Sequence, residues 1–405
     1  MYSVLLALSL ALFSTVLAER SSENDIIVDV TRNRRGISRF EPKVEDNRTK
    51  RQALILGANE YSKQWPNGKV HYYFSEEFDP RVKGAITLAM QQISNNTCIS
   101  FTTKPAEVMI KMISENKGGC SSVIGRRQQD QPFVFDADCW SAGMAVHELI
   151  HALGFCHAHQ RLDRDEYLEV VDLEQYEGTR MEDQYRIFEN QVIYVPYDYG
   201  SVMQYPGDEF VPLTYRYYET MGSEVVAYYD YLMINKFYNC YCKEADISVT
   251  CKNYGYPNPA DCSKCNCPLG YGGKDCSERP EPGASLEAGK DWKSLNVTLD
   301  AGFKDNDGEK DRQIDYIYHY LWISAPANKT IEIKMNNLSG LDCKQGCRAG
   351  GYEVKNSVDP RLTSPRQCCE DHHIWRSKNN PTIVMFFNSE GLDEYEMAYR
   401  FIDNR

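Results

Sequence analysis

The sequence predicts an α+β domain, with a mixed sheet and a helix that carries a histidine pair, followed by a small disulfide-rich module and an all-β sandwich. Three observations predict this order. Runs of β-forming residues alternate with two helical stretches between residues 52 and 240. Six cysteines, at 242, 251, 262, 265, 267 and 276, then crowd into a segment too short for a hydrophobic core of its own. From 284 to 403 several β-rich runs recur with turn residues between them.

The N-terminus precedes all three. Val4 to Leu17 is almost wholly apolar and leads into Val16-Leu17-Ala18, small or modest side chains suited to a leader-peptide cleavage site. The run falls well short of the ~20 residues that span a bilayer. Residues 1–18 are therefore expected to be a signal peptide, and with no later membrane span the mature chain is expected to be secreted and extracellular. Residues 19–51 are polar, charged and free of cysteine, and end in Arg48-Thr49-Lys50-Arg51. This basic site, just before the first strand-like run, predicts a removable pro-segment cut between Arg51 and Gln52.

The 15 cysteines of an exported chain read as disulfides, and the odd count leaves at least one thiol over. Asn-x-Ser/Thr sequons at Asn47, Asn95, Asn296, Asn328 and Asn337 are candidate glycosylation sites. The net charge of −13 argues against nucleic acid or an anionic membrane as the main partner, since both reward clustered Lys and Arg.

Within 52–240, Lys69 to Phe74 reads as a strand. Gly84 to Ser94 reads as a helix with Ile86, Ala89, Met90 and Ile93 on one face. Val108 to Ile113 and Gly118 to Gly125 read as further strands. Ser141 to Leu153 reads as a helix stopped by Gly154, which can take the left-handed geometry of a helix end. In the tail, Pro280-Glu281-Pro282 is a stiff linker, and Ile314–Ile323, Thr330–Met335, Thr382–Phe387 and Tyr395–Phe401 are the strand-like runs.

Four of the eight histidines fall between 147 and 159. His147-Glu148-Leu149-Ile150-His151 places two imidazoles at i and i+4 of a helix, one turn apart on one face, where both can reach one ion. Glu148 lies between them, within reach of a bound water. Gly154 lets the chain turn, and His157 supplies a third nitrogen. Three protein ligands leave a position open for water, the pattern of a catalytic zinc (Zn2+) rather than a structural one. A bare HExxH arises by chance in roughly one chain in a hundred of this size, and the added Gly and His lower that to about one in 100,000. The alternative, two helical histidines satisfied in a core, is correspondingly remote. His159 could compete as third ligand, but the spacing after Gly154 favours His157 and leaves His159 at the cleft edge or surface.

The stretch from His147 to His157, continued by Arg161-Leu162-Asp163-Arg164-Asp165, resembles the astacin family of metzincins. Tyr197-Asp198-Tyr199-Gly200-Ser201-Val202-Met203-Gln204-Tyr205 is similar to that family's Met-turn. The Cys265-Asn266-Cys267 spacing and the glycines that follow resemble an epidermal-growth-factor-like (EGF-like) module, and the C-terminal sandwich resembles a CUB domain. The whole order is most like the nematode astacin-like type.

The resemblance implies a metzincin protease domain over 52–240, an EGF-like module over 241–277 and a CUB domain over 284–403. It implies a zymogen of a zinc endopeptidase acting on extracellular protein or peptide substrates, with further protein partners through the tail modules. Glu148 would be the general base, Met203 an apolar floor beneath the zinc, and Tyr205 a group that ligates zinc at rest and stabilises the oxyanion in turnover. The implied disulfides are Cys98–Cys240, Cys120–Cys139, Cys242–Cys262, Cys251–Cys265 and Cys267–Cys276. Cys343, Cys347, Cys368 and Cys369 should form two more, with the pairing open. The chain departs from the family pattern at several positions. Ala158 stands where the family has a Glu that anchors the mature N-terminus. Gln204 replaces a common His. Cys156 replaces an aromatic and is read as a buried, inert thiol. The pro-segment Phe40-Glu41-Pro42-Lys43 lacks the family's aspartate motif.

Overall fold

The computed structural model describes residues 64–403, apart from 116, 172, 179–181, 189, 190, 208 and 303–313, together with two short strands at Ile27–Asp29 and Ala53–Ile55. The leader, Asn47, Arg51 and Gln52 lie outside the described residues.

The N-terminal part is built on a six-stranded mixed sheet. Its strands are β1 (Ile27–Asp29), β3 (Lys69–Phe74), β4 (Ser100–Thr102), β5 (Ile110–Ile113), β6 (Cys120–Val123) and β7 (Gln131–Phe135), in the order β1-β6-β7-β5-β3-β4; β2 (Ala53–Ile55) pairs elsewhere, with Gln191–Ile193. The pairs β3/β4, β3/β5 and β5/β7 are parallel, and β6/β7 and β1/β6 antiparallel. Helix α1 (Lys83–Asn96) covers the sheet with Ala85, Ile86, Ala89, Met90 and Ile93 buried, the one-face pattern its spacing predicts. Helix α2 (Ala142–Ala152) packs against α1 in a core that includes Phe133, Phe135, Val146, Leu149 and Ile150.

Both ends of α2 are secured. The Ser141 side chain accepts a hydrogen bond from the Met144 amide (3.1 Å), an N-cap that satisfies one of the first-turn donors. At the other end Gly154, at φ 110, lets its amide reach the His151 carbonyl (2.8 Å), which also accepts from Gly125 (2.9 Å). Trp65 Nε1 and the Tyr238 hydroxyl take the carbonyls of Ala152 and Leu153, each at 2.9 Å. A helix whose last carbonyls are bonded, some of them by residues far along the chain, is a fixed platform. Gly143 sits where a Cβ would approach the Glu224 carbonyl oxygen to 2.0 Å, so α2 lies directly against the chain that returns from the far side of the site.

Residues 242–276 form a small unit around one two-stranded ladder, Tyr256–Asn258 with Asp261–Asn266. Its amides Asn258 and Asn266 donate to the carbonyls of Asn95 and Asn96 at the end of α1, each at 2.8 Å. The C-terminal part is a sandwich of two sheets. One has five strands in the order Gly283–Glu287, Ile317–Ser324, Thr382–Asn388, Gly350–Lys355, Arg366–Gln367. The other has four: Lys293–Asp300, Leu392–Asp403, Lys329–Ser339, Trp375–Ser377. Leu321, Ile323, Ile331, Ile333, Val354, Phe386 and Met397 fill the space between them.

Seven disulfides join Cys98–Cys240, Cys120–Cys139, Cys242–Cys262, Cys251–Cys265, Cys267–Cys276, Cys343–Cys369 and Cys347–Cys368. Cys156 is the free one, buried, and burial pushes its thiol up to about 12, which keeps it protonated and unreactive. Asn95, Asn296, Asn328 and Asn337 are all exposed. Among the described residues no helix is long and apolar enough to cross a membrane.

Candidate active site

His147 and His151 project from one face of α2, and His157 reaches the same point after the turn at Gly154. The three Nε2 atoms form a near-equilateral triangle: 3.1 Å from His151 to His147, 3.1 Å from His151 to His157 and 3.2 Å from His147 to His157. Partners on the outer nitrogens set the tautomers of two rings. His147 Nδ1 lies 2.7 Å from the Val202 carbonyl and His151 Nδ1 lies 2.7 Å from the Phe155 carbonyl. A carbonyl only accepts, so each Nδ1 carries the proton and each Nε2 presents a lone pair inward. Converging lone pairs repel unless a cation lies among them. A triangle of this side has its corners about 1.8 Å from its centre, just under the ~2.0–2.1 Å of a zinc–nitrogen bond. The donor set therefore fits zinc, which these three nitrogens would hold.

Burial keeps these rings neutral. His151 and His157 are fully buried, and desolvation holds both well below the usual imidazole range. His147 is lowered to about 4, mostly by burial and partly by the nearby Arg348 guanidinium. Neutral imidazole is the form that binds a metal. Glu148, on the same helix, is almost fully buried and lines the cleft beside His147.

The segment Asp198–Tyr205 forms the opposite wall. Met203 is fully buried, and its carbonyl accepts from the Ala158 amide (2.8 Å), which ties this turn to the third histidine's loop. The turn is braced by a residue that sequence reasoning missed. Asp230 is fully buried in the first turn of the Tyr228–Phe237 helix. Its carboxylate accepts from the Ser201 hydroxyl (2.5 Å) and from the Val202 and Ala227 amides (3.0 and 2.9 Å). Val202 in turn orients His147. The only sequence signal was an acidic residue at a helix start, which is common everywhere.

Tyr205 is half-buried, its ring 4.1 Å from that of His157 and its hydroxyl 3.5 Å from Gln184 Oε1. His159 corrects the sequence expectation: it is not at a cleft edge but fully buried, its ring 4.8 Å from His157, 4.4 Å from Tyr205 and 4.4 Å from Phe210, with Nε2 2.9 Å from the Gln184 carbonyl. Aromatic neighbours distant in sequence cover it. It supports the third ligand from behind and is not one of the three converging donors. Ala158 is buried in a cluster with Tyr185, Tyr197 and Phe210, and supplies no carboxylate. A second grouping, Glu219 with Cys347 and Cys368, is no metal site, because those two sulfurs are bonded to each other.

Three inward nitrogens on a rigid helix and loop, with a carboxylate alongside and an open cleft, define a metal-dependent hydrolase centre. Residues 57–239 match the family model of the astacin peptidases. The chain is 51% identical to zinc metalloproteinase nas-22 of Caenorhabditis elegans over 339 residues, covering 81% of this chain and 91% of that one. It is 45% identical to zinc metalloproteinase-like protein nas-21 of the same organism, covering 88% and 89%. Among solved structures, high choriolytic enzyme 1, a hatching enzyme zinc-protease from medaka (Oryzias latipes), matches at 26% identity with a TM-score of 0.40, over 47% of this chain and all of that one. The chain belongs to the astacin family and is a zinc metalloendopeptidase.

Proposed function

We propose that this chain is a secreted zymogen, with residues 1–18 as signal peptide, 19–51 as pro-segment released by cleavage after Arg51, 52–240 as the catalytic domain, 241–277 as an EGF-like module and 284–403 as a CUB domain. The mature enzyme cuts extracellular proteins or peptides, and the tail modules bind protein partners. Seven disulfides and four exposed sequons support an extracellular setting.

The observation that carries the catalytic reading is the triangle of inward imidazole nitrogens with Glu148 beside it. His147, His151 and His157 hold the zinc, which when bound supplies Lewis acidity for a scissile carbonyl and acidifies water at the site. Glu148, on the cleft wall, takes a proton from the attacking water and delivers it to the leaving amine. The Tyr205 hydroxyl donates to the oxyanion as charge develops there, which requires it to leave the neighbourhood of Gln184. Met203 and the apolar side chains under the histidines keep water from the ligand nitrogens.

The test is Glu148→Ala. It should retain one zinc per chain by metal analysis and lose turnover of unfolded casein by a factor on the order of 100 or more. Near-normal turnover with full zinc content would remove Glu148 from the mechanism.

A further inference from the structure

One wall of the catalytic cleft belongs to the C-terminal sandwich. Arg348 follows the short turn Gln345–Cys347 and lines the same cavity, about 400 Å³ including its mouth, as His147, Glu148, Val202 and Tyr205. Its backbone is held in place: the Arg348 carbonyl accepts from the Tyr316 hydroxyl (2.8 Å) and the Ser389 hydroxyl (3.2 Å), next to the Cys347–Cys368 disulfide. Its Nε donates to the Gly222 carbonyl (3.1 Å) and lies 3.4 Å from Glu224 Oε1. Glu224 lines the cavity too. It is only 5% exposed, and its second oxygen, Oε2, is buried with no hydrogen-bond partner. An unpaired buried carboxylate oxygen is costly, and an N–H brought in by a ligand relieves it.

We propose that Arg348 and Glu224 form a specificity pocket beside the scissile bond that takes the primary amide of a substrate Asn or Gln. This rests on the peptidase reading above. The amide oxygen accepts from the guanidinium while its NH2 donates to the Glu224 carboxylate, which turns from its buried position on the cavity wall to meet it. A carboxylate side chain meets Arg348 but is repelled by Glu224, and an ammonium group faces the reverse conflict. An aliphatic side chain offers a hydrogen bond to neither group, the kind of mismatch that discriminates strongly in polar pockets. The pocket exists only with the sandwich docked, so substrate choice is set jointly by two domains.

The experiment uses the activated, zinc-loaded full chain and a peptide set with Asn, Gln, Asp, Lys or Leu at each position flanking the cut. The readout is the ratio of kcat/KM values within each variant, which does not depend on how much of a variant is folded. The native enzyme should favour Asn or Gln by about tenfold or more at one position. Glu224→Gln should move that preference to Asp, and Arg348→Gln should move it to Lys. A native enzyme indifferent to the amide, or variants that keep the native ratios, would overturn the assignment. Failure of the native enzyme to cut any peptide or unfolded casein would instead overturn the peptidase reading, and the pocket with it.

Discussion

Asp230 offers a sharp test of how the site is supported, because two substitutions there should act in opposite directions. The carboxylate accepts three hydrogen bonds, from Ser201 Oγ, the Val202 amide and the Ala227 amide, while fully buried. Asp230→Ala strands two buried backbone N–H groups at ~1–3 kcal/mol each, so the loss should be about 2–6 kcal/mol. Asp230→Asn need not strand either, since the amide oxygen can face the two backbone donors while its NH2 donates to Ser201 Oγ. Ionisation adds a second effect. Burial raises the Asp230 carboxyl to about 6, against an unfolded value of ~3.9. Between roughly pH 4 and 6 the folded state holds a proton that the unfolded state has lost. Native stability from this group is therefore present at low pH and declines as pH rises through that window, by about 3 kcal/mol in all. Asn cannot ionise, so Asp230→Asn should gain on the native chain by up to that amount between pH 4 and 7. Urea midpoints at several pH values, with disulfides intact, measure this. Zinc affinity should fall about tenfold in the Ala variant, because the Val202 carbonyl that orients His147 loses its brace, and should hold in the Asn variant. A native-to-Asn stability gap that stays flat from pH 4 to 7, or an Asn variant no better than Ala, would refute the reasoning.

Three other outcomes follow from the same structure. Tyr205→Phe should lower kcat by roughly ten- to a thousandfold with little change in KM and with zinc retained; loss of metal from the purified variant would make the tyrosine a structural ligand instead. Arg366→Met should cost about 3 kcal/mol of thermal stability and open the sandwich junction to limited proteolysis, because it strips Glu353 of one of two buried cationic partners; an unchanged cleavage pattern would argue that packing alone holds the junction. N-terminal variants beginning at Gln52, Ala53 or Leu54 should show nearly equal turnover, since Ala158 offers no carboxylate to a buried terminal amine; a sharp drop on removing Gln52 alone would reveal another anchor.

What the sequence showed was local. The ligand spacing is a property of one helical turn and one glycine, and α2, Gly154 and the three nitrogens came together as that spacing implied. The long tail strands were also visible, because alternation over many residues is hard to mistake; Leu392–Asp403 merely extends further than Tyr395–Phe401 suggested. Short strands such as Ser100–Thr102 and Arg366–Gln367 left no period to read. His159 was misplaced because Phe210, 51 positions on, helps to cover it. Asp230 acts 28 residues from Val202 and Arg348 acts 126 residues from Gly222, and no window along the chain contains either pair. The Cys343–Cys369 and Cys347–Cys368 pairing likewise depends on how two loops meet, which spacing leaves open.

The same long-range contacts explain why the tail is part of the site. The chain from Asp198 to Asp230 carries the Met203 turn, Tyr205 and Glu224, yet apart from the Phe210–Pro212 strand, a single 3-10 turn at Tyr215–Tyr217 and the start of one helix, its described residues have little regular structure. Ordering irregular backbone costs ~1–2 kcal/mol per residue, so contacts from elsewhere must offset it. Many come from the sandwich. Thr363 donates from its amide and hydroxyl to Asp198, the Arg366 amide donates to Thr220 Oγ1 (2.9 Å), and Arg366 Nη1 donates to Ser223 Oγ (2.6 Å). The Cys368 and Cys369 amides both donate to Glu219, and the Tyr229 hydroxyl donates to Asp359 (2.9 Å). These bonds fall on both flanks of the catalytic turn. The histidines are fixed by α2 and its own domain, whereas the opposite wall of the cleft, with the tyrosine and the pocket, takes much of its rigidity from residues after 340.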